Sequence, residues 1–533
     1  MEGRGHIQGY RRRPVKRQRI VLLLLVLVLL SAGLLRVFNT GHSLLYDEAW
    51  NANTVADGAT GHTQETRISD LAPDNWFGNY YRHPPVYLSL GIAYAFITGS
   101  GRYGASIALE IFSMMSAVAL AYVIFLCGRD WFSDYAGLAA AFLFAVTPAA
   151  RMLDSVVKAD PLTLLFVMLF LLYFFRKRYW LGGLMLGFAF LTKEVAIFVP
   201  GALLVFIALK RRWPEMKGLL ESAAMAIVTC FWWYLFLSST SGEFSDFFFG
   251  RSVESVVWHK SWSYYVTRLS ADWGWPILLI CLLGLVMALS FKGKDKEPRS
   301  DGFTAREHAQ FVLLVCLVVY GVLTLSYGKP PWMIYSALPA AALLGGWALA
   351  ETATRFSPPR VAVAGVALVL AAALALSVPV GFGGFMKRAD KTYQLSISDR
   401  RTAGYVNSKA GGNGTITMKV SDLTPAIAFY LDSYRPGSMV KVPGDCRAGD
   451  GSLKKYTMFL LYEDTTLDGL LHIAGCASPR YVLVRGRTGQ LSKPGEPFTA
   501  LDVSRITPAV FVNGNAALFD GRKLKSAVVV GRP

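Results

Sequence analysis

The stretch "IVLLLLVLVLLSAGLLRVF", Ile20 to Phe38, decides the fold class. At ~1.5 Å per residue it is about long enough to cross a bilayer core as one helix. It exceeds the ~7 to 15 apolar residues of a secretory leader, and no small-x-small cleavage site follows it, so it is expected to remain as an anchor. The block "RRRPVKRQR" (11–19) precedes it. Further apolar stretches follow at 86–100, 104–127, 135–151, 160–175, 179–192, 194–209, 218–238, 273–291, 309–327, 332–350 and 360–382. Of the 533 residues, 53% are hydrophobic and 17% charged, and the mean hydropathy is +0.38. A polytopic α-helical membrane protein is expected.

The formal net charge of +18 does not point to nucleic acid, because Lys and Arg sit in short blocks between apolar stretches. "RKR" (176–178), "KRRWPEMK" (210–217), "KGKDKEPR" (292–299), Arg355 and Arg360 read, with the amino-terminal block, as cytoplasmic. If every apolar stretch crossed, the amino-terminal block would face the wrong side. The weakest stretch, 86–100, covers only about 22 Å as a helix. Treating it as a juxtamembrane or re-entrant helix restores parity and leaves about eleven spans, with the amino terminus inside and the carboxy terminus outside.

Three regions follow: a basic terminus (1–19), a membrane domain (20–385) with large external loops at 39–103 and 239–272, and an extracytoplasmic domain (386–533) of α/β or α+β type. In the last, "GTITMKV", "YTMFLLY", "RYVLVRG", "PAVFVNG" and "SAVVVG" read as strands, "SDRRTAGYVNSKA" and "DLTPAIAFYLD" as helices, with Ser398 a candidate cap. Cys127, Cys230, Cys281 and Cys316 lie in apolar surroundings, whereas Cys446 and Cys476 lie in polar sequence and are candidates for a disulfide. Neither CxxC nor GxxxxGK[ST] occurs, and GxGxxG occurs once, as "GSGRYG" (99–104), which follows an apolar helix-length stretch and not a strand, so it is no dinucleotide cradle.

The same parity gathers acids and bases on the outer face: Asp47 and Glu48 in "YDEAW", His83, Arg102, Arg151, Asp154, Lys158, Asp160, Lys193, Glu194 and "YGKPPW" (327–332). Each admits a bland reading beside a functional one. Asp47 and Glu48 are interfacial charge or a catalytic pair; Arg102 snorkels or anchors an anion. Lys193 and Glu194 are an exposed turn pair or part of a site. Asp160 caps the helix that Pro161 opens, or acts in chemistry. Lys158 binds phosphate or neutralises Asp160. His83, with Glu48, is a helix end or a divalent-metal ligand. Gly183 and Gly187 read as close helix packing.

In order along the chain stand Asp47-Glu48, His83-Pro84-Pro85-Val86, Arg102, Asp160-Pro161-Leu162, Leu191-Thr192-Lys193 and Lys329 to Pro339. This series resembles the GT-C glycosyltransferases of the protein O-mannosyltransferase and lipid A aminoarabinose transferase type, over about residues 20–350. His83 stands where that family more often has Lys, and Trp332 is bulkier than its usual residue. The resemblance implies inverting transfer of a sugar from a polyprenyl-phosphate donor to a lipid, glycan or protein acceptor, outside the cytoplasm at the cell (inner) membrane. It implies Asp47 as general base with Glu48 beside it, and Arg102, Lys193, Lys329 and Lys158 as phosphate ligands. Tyr46, His83, Asp160, Trp332 and Tyr335 are further site candidates. No cofactor is required, and a divalent metal on Glu48 and His83 stays open. A lipid-linked-sugar flippase or a non-catalytic glycan-binding subunit is the alternative, since intramembrane charge also marks transport routes.

Overall fold

The computed structural model describes residues 15–40, 46–59, 85–241, 261–290, 299, 301–325, 331–356, 359–377, 392–410, 415–419, 427, 430, 439–441, 458–461, 465–485, 499–513 and 516–524. Among the described residues, the regular structure of the membrane half is all helix. In chain order α1 is Val15–Val37, α2 Tyr46–Ala59, α3 Pro85–Thr98, α4 Arg102–Trp131, α5 Asp134–Val146, α6 Pro148–Leu153, α7 Asp160–Phe175 and α8 Tyr179–Phe190. After a 3-10 turn at Glu194–Ile197 come α9 Phe198–Leu209, α10 Trp213–Ser241, α11 Tyr264–Trp273, α12 Trp275–Ser290 and α13 Ala305–Leu325. A second 3-10 turn, Pro331–Ala337, leads into α14 Leu338–Phe356 and α15 Pro359–Ser377.

Among the described residues, 5 helices are long and apolar enough to cross a membrane, or 6 if α11 and α12, bent by 115°, form one span. Several others are shorter for local reasons. The expected span 135–151 is broken: α5 stops at Val146, because Pro148 lacks the amide that would continue the ladder. Thr147 instead turns its hydroxyl back to the Leu143 carbonyl at 2.6 Å. The α7 and α9 helices end where Lys177 (φ 59) and Arg211 (φ 53) take the left-handed conformation that closes a helix. The 86–100 stretch forms the short α3, as its length implied.

Close packing of α8 on α10 depends on two glycines. A Cβ on Gly183 would lie 2.3 Å from the Ser222 carbonyl oxygen, and one on Gly187 would lie 2.4 Å from Thr229 Cβ. Small residues at this spacing let helix backbones approach. Gly187→Leu is therefore expected to destabilise the fold by about 1–3 kcal/mol through overpacking. Thermal unfolding in detergent checks this, with Gly201→Leu, where an added Cβ meets open space, as the variant that should unfold near the native temperature.

At the far end of α7 from Asp160, the basic blocks are anchored by acids. Arg176 reaches Asp130 at 2.7 Å, Arg212 reaches Glu307 at 2.6 Å, and Lys177 pairs with Glu215. In the loop before α13, burial pushes the Asp301 carboxyl up, but the His308 ring and the Phe303 amide outweigh it and hold it below its ordinary value.

The last part of the chain contains α16 (Thr392–Ala410), α17 (Leu467–Ala477), α18 (Ala500–Ile506) and strands β1 (Ile416–Lys419), β2 (Met439–Lys441), β3 (Met458–Leu461), β4 (Tyr481–Arg485), β5 (Ala509–Asn513) and β6 (Ala516–Asp520). They form one sheet of order β2-β3-β1-β4-β6-β5. The first four strands in that order are parallel, and β6 and β5 are antiparallel additions. Ser398 is not a cap: the helix already begins at Thr392, and the Ser398 carbonyl accepts from Thr402 Oγ1 inside it. "SAVVVG" lies outside the described residues, as does most of "DLTPAIAFYLD", of which Ile427 and Tyr430 are helical. Cys476 is disulfide-bonded, and its expected partner Cys446 lies outside the described residues.

Candidate functional site

The sequence "DSVVKAD", Asp154 to Asp160, joins α6 to α7 and draws distant segments together. Glu48 on α2, fully buried, accepts the Val157 amide at 2.6 Å through Oε1. Asp154 takes Arg36 of α1 on Oδ2 and the Tyr335 hydroxyl on Oδ1. The Ser113 hydroxyl on α4 donates to the Lys158 carbonyl at 3.0 Å. At the other end of the loop, Lys193 Nζ lies 2.8 and 2.9 Å from the two oxygens of Asp160. The Val86 amide, just after the Pro-Pro pair, donates to the Leu191 carbonyl at 3.0 Å, tying that box to the Leu-Thr-Lys box. Tyr87 completes the shell, its hydroxyl 2.8 Å from Ser113 Oγ and donating to the Leu109 carbonyl at 3.0 Å. Side chains from several otherwise separate helices thus meet on one short connection, buried at every residue but Ala159.

Residues 82–234 match the family described as dolichyl-phosphate-mannose-protein mannosyltransferase. The structure superposes on ArnT from Cupriavidus metallidurans bound to undecaprenyl phosphate with a TM-score of 0.63 at 16% identity, over 95% of this chain and 98% of that one. The chain has a GT-C-like fold. An oligosaccharyltransferase from Archaeoglobus fulgidus, tethered to an acceptor peptide, shares it with a TM-score of 0.53 at 12% identity, over 88% of this chain and 69% of that one. None of the curated proteins matches this sequence.

Within this GT-C frame the expected site residues separate into two groups. Glu48, Lys158, Asp160, Lys193 and Tyr335 are buried and gather at or around the 154–160 loop. Tyr46 and Asp47 lie on α2, Arg102 opens α4 and Trp332 lies in the second 3-10 turn, with side chains outside the described residues. His83 and Lys329 lie outside them altogether.

Two bland readings are corrected. Lys193 is not an exposed turn residue; it is 6% exposed because α7, α8 and the following turn enclose it with Asp160. Asp160 is not the cap of α7. The N-cap position is Ala159, and the Asp160 carboxylate is engaged with Lys193. Among the described residues no group of three or more His, Cys, Asp or Glu is arranged to hold a metal ion. The candidate metal pair is not tested by this, since His83 is outside.

Sequence reasoning passed over Arg36, Tyr87 and Ser113. Arg36 carried a readable signal: an arginine within a long apolar run is costly unless it meets a buried partner. It meets Asp154. Ser113 carried none, because a Ser hydroxyl on an apolar helix commonly bonds its own preceding turn, and Tyr87 carried none, because its hydroxyl finds partners 22 and 26 residues away.

The chemical capacity of this arrangement lies in fixed charge away from water. Carboxylates and ammonium groups held in a water-poor enclosure interact more strongly than in solvent and need little reorganisation when charge develops nearby. A carboxylate within hydrogen-bond reach of an acceptor hydroxyl serves as base, and cations stabilise a departing phosphate.

Proposed function

We propose that this protein transfers a sugar from a polyprenyl-phosphate donor to a hydroxyl or phosphate acceptor on a glycolipid, polysaccharide or protein. The observation that carries the reading is the junction itself: Glu48 on the Val157 amide and Lys193 on Asp160 bring three of the separate boxes onto one loop. That ArnT binds undecaprenyl phosphate supports a polyprenyl-phosphate donor here. The reaction takes place at the extracytoplasmic face of an inner membrane crossed about eleven times, with the sheet domain on the same side.

In the step proposed, the acceptor oxygen attacks the anomeric carbon as Asp47 takes its proton. The bond from that carbon to the phosphate oxygen breaks, its electron pair leaves with the polyprenyl phosphate, and the anomeric configuration inverts. Arg102, Lys158 and Lys329 are the cations proposed for the departing phosphate. Glu48 orients α2 against the loop.

The test uses purified protein in nanodiscs with a panel of polyprenyl-phosphate sugars and hydroxyl acceptors. Mass spectrometry should find free polyprenyl phosphate and glycosylated acceptor in equal amounts. Movement of intact lipid-linked sugar between leaflets in proteoliposomes, with no cleavage of the anomeric bond, would establish the flippase alternative instead.

A further inference from the structure

Arg36, Asp154 and Tyr335 have no part in the bond changes above, yet all three are fully buried, and Arg36 and Tyr335 both bond Asp154. Arg36 Nε lies 2.8 Å from Asp154 Oδ2, and its NH2 group bonds the same oxygen. The Tyr335 hydroxyl donates to Oδ1. The remaining guanidinium nitrogen donates to the Ala32 carbonyl at 2.8 Å and the Ala145 carbonyl at 3.4 Å. In the turn just past α1, Asn39 Nδ2 reaches the Arg151 carbonyl at 3.4 Å and Ser155 Oγ at 3.3 Å.

Charge neutralisation alone would need only Arg36. A phenol on the second oxygen fixes the plane of the carboxylate as well as its place. The partners also come from informative positions: Arg36 lies on the span leading to Asp47 and Glu48, Asp154 begins the loop of Lys158 and Asp160, and Tyr335 lies within the segment Lys329 to Pro339. Well-packed apolar residues often stabilise a core at least as well as a buried ion pair, so stability is a weak reason for this triad.

We infer that Asp154 is a positioning residue for the transferase site: gripped by Arg36 and Tyr335, it holds the 154–160 loop in one register against the first span and the Pro331–Ala337 turn. The inference rests on the transferase reading. It assigns Asp154 no contact with substrate; it acts through Glu48, Lys158 and Asp160, whose relative places it sets.

Two variants test it in nanodiscs. Tyr335→Phe keeps the ion pair and removes only the second grip, while Arg36→Met with Asp154→Leu replaces the charges by apolar groups of similar volume. Both should lower kcat by about 10- to 100-fold, the scale of a small misplacement of reacting groups. The donor KM should stay within about twofold, with kcat normalised to the folded fraction, because loss of folded protein alone also lowers apparent kcat at constant KM. Amide hydrogen exchange at residues 155–160 should quicken in both. Native kcat in the folded double variant would overturn the inference. Should the wild-type protein cleave no lipid-linked sugar, the transferase reading fails by itself, and exchange then decides the remainder: unchanged protection of 155–160 in Tyr335→Phe overturns the positioning role, and faster exchange upholds it.

Discussion

Asp47→Asn is expected to lower sugar transfer by about 100- to 10,000-fold while leaving the fold and donor affinity near native, the span usual for loss of a general base. Asn keeps the size and hydrogen-bonding capacity of Asp but cannot accept a proton at neutral pH. The backbone at this position is fixed independently, because the next residue, Glu48, is bound to Val157. On a helix of 3.6 residues per turn, positions 47 and 48 are about 100° apart, so the anchoring role of one leaves the other free for chemistry. Single-turnover assays in nanodiscs, together with donor binding, separate the chemical step from affinity. Near-native turnover in Asp47→Asn would remove this residue from the mechanism.

The second large effect concerns Lys193. Lys193→Met leaves the Asp160 carboxylate buried without its ammonium partner at 2.8 Å, and removing one member of a buried pair typically costs about 3–5 kcal/mol. Lys193→Met combined with Asp160→Leu should recover most of that loss, because no uncompensated charge remains. Thermal and denaturant unfolding in detergent measure both. The comparison also decides between the roles considered for Lys193. A single variant of native stability with weakened donor binding would make Lys193 a phosphate ligand, whereas recovery of stability in the double variant makes it the fixed partner of Asp160.

How far the sequence carries the fold depends on whether a feature is local. Ile20–Phe38 announces a span because apolar length is itself the signal, and Gly183 and Gly187 announce a close crossing because their spacing places them on one helix face. The break before Pro148 was legible in principle but was masked by apolar residues on both sides. Strands β1, β3, β4 and β5 stand out through Val, Ile, Phe and Tyr. By contrast β6, "AALFD", lacks β-branched residues, and β2 is only three residues long, so both exist chiefly through their neighbours.

For the site, the order of the boxes carried the resemblance, but partner choice was invisible. "LTKE" reads as a polar turn, and only the packing of α7 and α8 turns Lys193 inward to Asp160. Likewise the Arg36–Asp154 contact joins residues 118 positions apart, a pairing that no local pattern encodes.

The bond from Val157 to Glu48 gives the two positions unequal standing in any variant scan. Its donor is a main-chain N–H, present whatever side chain position 157 carries, so substitutions there register only the fit of the side chain in its enclosed setting. Proline is the exception, since it alone removes the donor. At position 48, by contrast, the acceptor is the side chain itself, and of the other residues only Gln offers a carbonyl oxygen at the same reach. Across 2.6 Å, position 157, buried in an apolar cluster, is therefore expected to respond to side-chain size and polarity and position 48 to chemistry, and an apolar replacement of Val157 that is accepted would be no sign that the contact is idle.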